Sequence, residues 1–187
     1  MIRKATPADA EQIAPLLFTI WKDMELPILE ADSEQAILAA LQDGITVEGY
    51  RYGYNRMHVF EENGEIAGVV AGYPGEAEPV IDEPWQVIAK RHKLNYTFPV
   101  FTEKETFPGE WYLDSIVTDP RFRGKGIGTQ LLEALPEIAR AEGERLIGLS
   151  CDKANPKAKK LYQRQGFAAT SEIILSGHLY DHMQKRI

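Results

Sequence analysis

The chain has 187 residues, a formal net charge of −7 and one cysteine. This length suits a single domain that buries a core of its own. The acidic balance disfavours general nucleic-acid binding, because no basic stripe is available to neutralise many phosphates. A lone cysteine excludes an intrachain disulfide, and no apolar segment has the length of a signal peptide or a membrane span. We therefore expect a soluble cytoplasmic protein without nucleic-acid or membrane partners.

The N-terminal segment predicts one strand and two helices. Residues 2–5 have the pattern of a strand. Thr6, followed three residues later by Asp9, is close to a capping box and marks the start of the first helix. Ser33 is typical of the N-cap of a second helix. These signals predict that two helices separate the first strand from the next one.

A hairpin and a long insertion follow. The dipeptide Asn63-Gly64 predicts a two-residue turn between strands over 57–61 and 65–72. Residues 73–110 combine a stretch rich in Pro, Gly and acidic residues with a predicted helix over 83–94. A compact hairpin does not need so long a connection, and long insertions in regular domains often form binding walls. We interpret this insertion as the variable, substrate-facing side of the protein.

From there to the C-terminus, strands and helices alternate. Apolar runs over 112–117 and 146–151 predict two buried strands, and residues 168–175 and 178–184 predict two closing strands. Pro136 lies inside the intervening long helix and is expected to kink it. The chain shows no internal repeat and no linker, so we expect no second domain.

The most informative segment is the glycine-rich turn that follows the strand over 112–117. It holds three glycines among three basic residues: Gly124, Gly126, Gly128, Arg121, Arg123 and Lys125. Glycine lets the backbone approach a ligand closely, and the start of a helix leaves N–H groups unpaired. Together these features predict a socket for a phosphate-bearing ligand.

Two common nucleotide-binding motifs do not fit this turn. A P-loop needs Ser or Thr after its Gly-Lys pair, whereas Gly126 follows Lys125 here. The dinucleotide fingerprint needs a third glycine at the position that Thr129 occupies. A nucleotide-hydrolysing P-loop protein is therefore a poor interpretation, and it would predict stabilisation by Mg-ATP.

A second block lies about 30 residues further along the chain, between Asn155 and Phe167. Asn155 and Pro156 are typical of a helix N-cap and of the first helical position. Gly166 is typical of the left-handed residue that ends a helix. The block therefore predicts one short helix directly after a buried strand.

The two blocks resemble the signatures of the GCN5-related N-acetyltransferase (GNAT) family. Residues 123–128 match the family pattern R/Q-x-x-G-x-G/A, and residues 155–167 match N-x-x-A-x-x-L-Y-x-x-x-G-F. The resemblance implies an α/β fold of the GNAT (acyl-CoA N-acyltransferase) type. In that fold a mixed central sheet is splayed between two parallel strands, and helices cover both faces. It also implies a single N-acetyltransferase domain over 1–187, with the substrate-side insertion at about 73–110.

The same resemblance implies acetyl-CoA as the cosubstrate, without a metal ion. Backbone amides of the glycine turn would hold the diphosphate, from Arg123 through Gly124, Lys125, Gly126, Ile127 and Gly128 to Thr129. The pantetheine arm would lie between the two splayed strands. Its contacts would come from Ile116, Val117 and Thr118, and Asn155 would contact either the arm or an ordered water molecule beside it.

Tyr162 corresponds to the family's general acid, which protonates the departing CoA thiolate. A phenol has a pKa near ~10 and a thiol near ~8.5, so a phenol held close can hydrogen-bond to the thiolate or return a proton. For the base, which removes a proton from the amine, we expect Asp114 in preference to Glu110. Simple strand alternation places Asp114 and Ile116 on one face of the strand.

The acceptor would be a primary amine of a small molecule or a peptide, and the acidic insertion favours a cationic one. Dimers are common in the family, which leaves a homodimer open. A second interpretation is a CoA-binding regulatory module that has lost catalysis, although the presence of Asn155 and Tyr162 argues against it. His178 and His182 lack the glutamate of a metalloprotease motif, and Cys151 is expected to be a buried small residue.

Overall fold

The computed structural model describes residues 1–187 and contains one seven-stranded sheet with helices on both faces. The strands are β1 (Ile2–Lys4), β2 (Met57–Glu62), β3 (Glu65–Pro74), β4 (Trp111–Thr118), β5 (Leu146–Asp152), β6 (Ala168–Leu175) and β7 (His178–Arg186). The helices are α1 (Ala10–Asp23), α2 (Ile28–Ala31), α3 (Glu34–Ile45), α4 (Glu83–Arg91), α5 (Ile127–Ala141) and α6 (Pro156–Arg164). The strand order is β1-β2-β3-β4-β5-β7-β6, and β4–β5 is the one parallel pair. This is the mixed sheet that the sequence resemblance implied.

Local capping and turn signals act as predicted. The backbone N–H of Thr6 donates to Asp9 Oδ2 at 2.7 Å, although residues 7–9 form a 3-10 turn and α1 begins at Ala10. Ser33 Oγ accepts the N–H of Ala36 at 3.2 Å and caps α3. Asn63 and Gly64 have φ angles of 54° and 83°, as a type I′ hairpin turn requires.

One helix ends earlier than the sequence predicts. Helix α4 ends at Arg91 rather than near residue 94. Lys93 has a φ of 53°, and a left-handed residue cannot continue a right-handed helix. Helix α5 runs from Ile127 to Ala141 and includes Pro136. Its fifteen residues make it the longest helix, and no helix combines the length and apolar character of a transmembrane segment.

Most of the core lies in two clusters, one on each face of the sheet, and a third cluster contains only Tyr73, Ile81 and Tyr112. On one face α1, α3 and α4 bury large side chains such as Leu17, Trp21 and Ile37. On the other face α5 packs Leu131 and Leu135 against β4, β5 and β7. Because both faces are covered, the central strands β3, β4 and β5 are buried and hold the groups of the site at fixed positions.

Strands β4 and β5 pair over a short stretch and then part. Their partners are Trp111 with Ile147, Tyr112 with Gly148 and Leu113 with Leu149. Beyond these three pairs, β4 stays paired with β3 and β5 stays paired with β7. A wedge-shaped gap therefore opens between two strands that are each anchored on their other side. Backbone groups along an unpaired strand edge are free to bind an extended ligand.

A β-bulge lies where the gap begins. Gly72 of β3 is opposite Leu113, whereas the preceding residue, Ala71, is opposite Ser115, so Asp114 is the extra residue of β4. A bulge interrupts the alternation of side chains. Asp114 and Ser115 consequently contact each other, with Ser115 Oγ donating to Asp114 Oδ2 at 2.8 Å. Ile116 packs against the cluster under α5, so the expectation that it shares a face with Asp114 is wrong.

Candidate active site

A cavity of about 150 Å³ lies at the point where β4 and β5 separate. Its walls come from β4, β5, α1 and α6. They are formed by Ile20, Leu113, Asp114, Ser115, Ile116, Leu149, Ser150 and Tyr162. Tertiary structure thus brings together Asp114, Ile116 and Tyr162, three residues that the sequence predicts for the site.

Tyr162 lies on α6 and is half-buried. Its ring packs edge-on against Phe167, with 6.1 Å between the ring centroids. Burial raises the pKa of the Tyr162 phenol to about 12, and the neighbouring Cys151 adds to the rise. The hydroxyl is therefore protonated at neutral pH and is able to donate a hydrogen bond or a proton to a group beside it.

Cys151 is buried on β5, as the sequence predicts. Burial raises the pKa of its thiol to about 11. Because the thiolate is the nucleophilic form of cysteine, this residue is poorly suited to carry an acyl group.

The glycine turn presents a row of free backbone donors at the start of α5. The N–H groups of Gly124, Lys125, Gly126, Ile127, Gly128 and Thr129 have no hydrogen-bond acceptor within the chain, whereas that of Arg123 donates to Pro120 O at 3.4 Å. Gly124 and Gly126 have φ angles of 81° and 77°, which L side chains rarely adopt. Consecutive N–H groups at a helix start form a concave anion-binding surface.

The basic residues of this turn differ in how far they are neutralised. Arg121 pairs with Asp119 at 2.8 Å and with Glu65 at 2.7 Å, and Lys125 pairs with Glu62 at 2.9 Å. Arg123 forms no ion pair and is exposed. The positive field at the turn therefore comes chiefly from the backbone amides and Arg123.

Asn155 serves as the N-cap of α6. Its Oδ1 accepts the N–H of Ala158 at 3.1 Å, which explains why this position favours Asn on structural grounds. The side-chain amide donors of Asn155 remain available on the exposed surface beside β5. Val117 and Thr118 continue β4 along the gap and pair with Val69 and Gly68 of β3 on their other side.

Asp114 is held by three donors on the insertion side of the sheet. Arg51 Nη1 lies 2.5 Å from its Oδ1, Tyr73 OH lies 3.2 Å from the same oxygen, and Ser115 Oγ contacts the other oxygen. Arg51 is almost wholly buried and also binds Asp82 through Nε and Nη2. A buried guanidinium needs such partners, because an uncompensated charge is costly in the interior.

A larger cavity of about 560 Å³ lies beside this cluster. The insertion over 73–110 supplies most of its wall, and Tyr50 and Arg51 complete it. Aromatic rings of Trp85, Phe101 and Phe107 line the cavity together with several carboxylates. A mixed aromatic and acidic lining suits a ligand that carries positive charge.

Sequence reasoning missed Arg51 and its partner Glu105. Glu105 Oε1 lies 3.5 Å from Arg51 Nη1, and its Oε2 accepts the hydroxyl of Tyr112 at 2.9 Å. The partners of Arg51 stand 31 and 63 residues away along the chain, so no local motif links them. The one signal was a charged residue inside the aromatic run Tyr50-Arg51-Tyr52.

Glu110 and His182 form a fully buried pair. His182 Nε2 lies 3.0 Å from Glu110 Oε2, which also accepts from Gln184 Nε2 at 2.8 Å. Glu110 Oε1 accepts the N–H of Phe107. The carboxylate occupies the space that a side chain at Gly148 would take, which explains that glycine. Glu110 thus links the end of the insertion to β7, and its side chain is wholly buried.

A β-sheet that parts beside a helix-start amide row defines the class of acyl-CoA transferases, and the comparisons with known proteins agree. The sequence profile of the acetyltransferase (GNAT) family matches residues 18–167. The chain belongs to this family and is an acetyltransferase that uses acetyl-CoA. No group of three His, Cys, Asp or Glu side chains is arranged to hold a metal ion.

Individual relatives are similar over almost the whole chain. A crystal structure described as an acetyltransferase is 50% identical, with a TM-score of 0.92 over 100% of this chain and 99% of the other. An N-acetyltransferase from Staphylococcus aureus Mu50 is 32% identical, with a TM-score of 0.84 over 98% and 99%. The uncharacterized N-acetyltransferase YhfO of Bacillus subtilis (strain 168) is 26% identical over 89% of this chain and 88% of its own length.

Replacing His182 with Ala is expected to lower the free energy of unfolding by about 3–5 kcal/mol, because it removes the partner of a buried carboxylate. Urea titration followed by tryptophan fluorescence measures the change. His178→Ala is the matched control on the same strand, since that side chain is partly exposed and its loss should cost within about 0.5 kcal/mol. Similar losses for both variants would contradict the structural role of the Glu110–His182 pair.

Proposed function

We propose that the protein acetylates a primary amine of a small molecule or peptide by direct attack of the amine on acetyl-CoA. The supporting observation is the combination of six free N–H groups at residues 124–129 with a cavity between β4 and β5 that contains the Tyr162 side chain. The first feature suits a diphosphate and the second suits a thioester. We assign the whole chain, 1–187, to one N-acetyltransferase domain with residues 73–110 as its substrate-side insertion.

In this proposal the diphosphate of acetyl-CoA binds the amides of residues 124–129, and Arg123 supplies the nearby positive charge. The pantetheine arm extends along the free edge of β4 at Ile116, Val117 and Thr118, in the place of a missing strand. Asn155 contacts the arm from the opposite side through its side-chain amide. An N–H of β4 then polarises the thioester carbonyl in the manner of an oxyanion hole.

The acceptor amine enters from the larger cavity. Arg51 lines that cavity and contacts Asp114, which lines the smaller one, so the two cavities meet at this ion pair. The amine attacks the carbonyl carbon, the C–S bond breaks, and Tyr162 donates a proton to the sulfur. Asp114 stays a predicted proton acceptor, but its three donors compete with an incoming amine for its oxygens. That competition favours another carboxylate for the role.

Acetyl-CoA should release thiol in the presence of at least one amine from a panel of polyamines, amino acids, aminoglycosides and lysine peptides. The acidic, aromatic lining of the larger cavity favours acceptors with a second positive charge over neutral monoamines. The readout is the initial rate of thiol release, compared across the panel at equal concentration. Tight CoA binding without turnover on any amine would instead indicate a non-catalytic CoA-binding module.

Thr129→Asp is expected to weaken acetyl-CoA binding at least about tenfold, since the added carboxylate faces the diphosphate, while an acid in the first turn stabilises the helix. Titration calorimetry measures both acetyl-CoA and pantetheine, which lacks the diphosphate. Pantetheine affinity should not change, and thermal stability should not fall. An equal loss for both ligands would contradict diphosphate binding at this turn.

Tyr162→Phe is expected to lower kcat by about 100-fold or more, in the range of general acid–base catalysis, with acetyl-CoA affinity unchanged. Initial rates and calorimetric titration of the same preparation separate the two effects. Tyr54→Phe is the matched control, because Tyr54 lies outside both cavities and contacts Glu48. A rate within about threefold of the unaltered enzyme would contradict a proton-donating role for Tyr162.

A further inference from the structure

Glu105 lies beside Arg51, and about 10% of its side chain is exposed, although it lines neither of the two cavities itself. Its neighbours in the chain, Lys104 and Thr106, line the larger cavity, as does Arg51. Arg51 Nη1 contacts both Glu105 and Asp114, and Asp114 lines the smaller cavity. We propose, on the basis of the proposed function, that Glu105 is the residue that takes the proton from the acceptor ammonium group.

The segment that carries Glu105 is held rigidly by Glu78. The Glu78 carboxylate accepts the N–H of Glu105 at 2.6 Å and the N–H of Thr106 at 3.2 Å. Thr106 Oγ also contacts Glu78 and donates to Gly75 O at 3.2 Å. A base must be positioned to within a few tenths of an ångström to act efficiently. The hydrogen bonds that the Glu78 carboxylate accepts from the backbone of Glu105 and Thr106 provide such positioning for a loop residue.

Glu105 has more free acceptor capacity than Asp114. Asp114 accepts hydrogen bonds on both oxygens, from Arg51 at 2.5 Å, from Tyr73 and from Ser115. Glu105 accepts one strong hydrogen bond, from Tyr112 to Oε2, and its Oε1 has the longer contact of 3.5 Å to Arg51. A carboxylate has about four lone-pair sites. Oε1 of Glu105 is therefore the more available acceptor for an ammonium proton.

The surroundings of Glu105 keep it partly protonated near neutral pH. Charged and titratable side chains face it from five elements: Arg51, Tyr73, Glu78, Tyr112, Asp114 and Tyr180. Burial raises the pKa of Glu105 to about 7, and Asp114 and Glu78 raise it further, while Arg51 and the Tyr112 hydrogen bond oppose the rise. A base is most effective when its pKa lies near the working pH.

The proton balance is complete without another reactant. The ammonium transfers one proton to the ionised Glu105, and the neutral amine forms the C–N bond with the thioester carbonyl. As the C–S bond breaks, Tyr162 donates a proton to the sulfur and regains one from the nitrogen through solvent. Glu105 releases its proton to solvent when the amide leaves. One proton is released for each acetyl group transferred.

Glu105→Gln tests the proposal with the amine that turns over fastest in the panel. The change keeps the size of the side chain and an oxygen that accepts from Tyr112, but it removes the base. We expect kcat/KM at pH 7 to fall by about 100-fold or more. In the unaltered enzyme, protonation of Glu105 should make kcat/KM decrease below about pH 7, and this acidic limb of the pH profile should disappear in the variant. Acetyl-CoA affinity should stay unchanged. Glu137→Gln, an exposed change on α5, is the control and should keep both the rate and the limb.

Tyr112→Phe provides a second variant that keeps the carboxylate. Loss of the Tyr112 hydroxyl removes a donor that favours ionised Glu105, so the pKa of Glu105 should rise. The acidic limb of kcat/KM should then move to higher pH by about one unit. A purely structural effect would lower the rate at all pH values without moving the limb.

The outcomes separate this proposal from the proposed function. An acidic limb that persists in Glu105→Gln with a rate within about threefold overturns the role of Glu105 and leaves the acetyltransferase function standing. The role of Glu105 is also overturned if the acidic limb of kcat/KM is lost in Asp114→Asn but kept in Glu105→Gln. That result would identify Asp114 as the base. Absence of turnover by the unaltered protein with every amine overturns the proposed function and the role of Glu105 together.

Discussion

The parting of β4 from β5 is the constraint on which the rest of the site depends. Parallel strands at the centre of a sheet normally pair along their length, because unpaired backbone groups in the interior are costly. Here pairing stops after Leu113 and Leu149, and β3 and β7 hold the two strands on their outer sides. The extra residue Asp114 marks the point of divergence. The exposed strand edge and the helix-start amides at residues 124–129 then offer donors to a ligand that is part polar chain and part diphosphate.

The second organising element is the buried guanidinium of Arg51. Its charge is matched by Asp82 and Asp114 at short distances, and Glu105 is the third carboxylate, at a longer distance. One positive charge among three acids leaves a surplus of negative charge, and the least stabilised carboxylate retains its proton most readily. The same cluster links the insertion to β4, so residues that line the larger cavity and residues that line the smaller one are held together.

The elements with strong local signals could be predicted. Capping at Ser33, the turn at Asn63-Gly64 and the glycine motif before α5 each depend on a few neighbouring residues, and each is found where the sequence places it. Predictions based on regular periodicity were weaker. The prediction that Asp114 and Ile116 share a face of the strand was wrong, because a bulge in the pairing of β4 with β3 interrupts the alternation of side chains.

The sequence by itself determined the family, the fold class and the segment that presents free amides, because these depend on residue types at short, fixed spacings. Only the tertiary structure decided which charged groups meet. Arg51, Glu78 and Glu105 carry no motif, and their contacts cross 27 to 63 residues of chain. Burial, which raises the pKa of Glu105 and encloses Glu110, is likewise a property of packing. Interactions between distant residues in a shared low-dielectric interior cannot be read from local sequence.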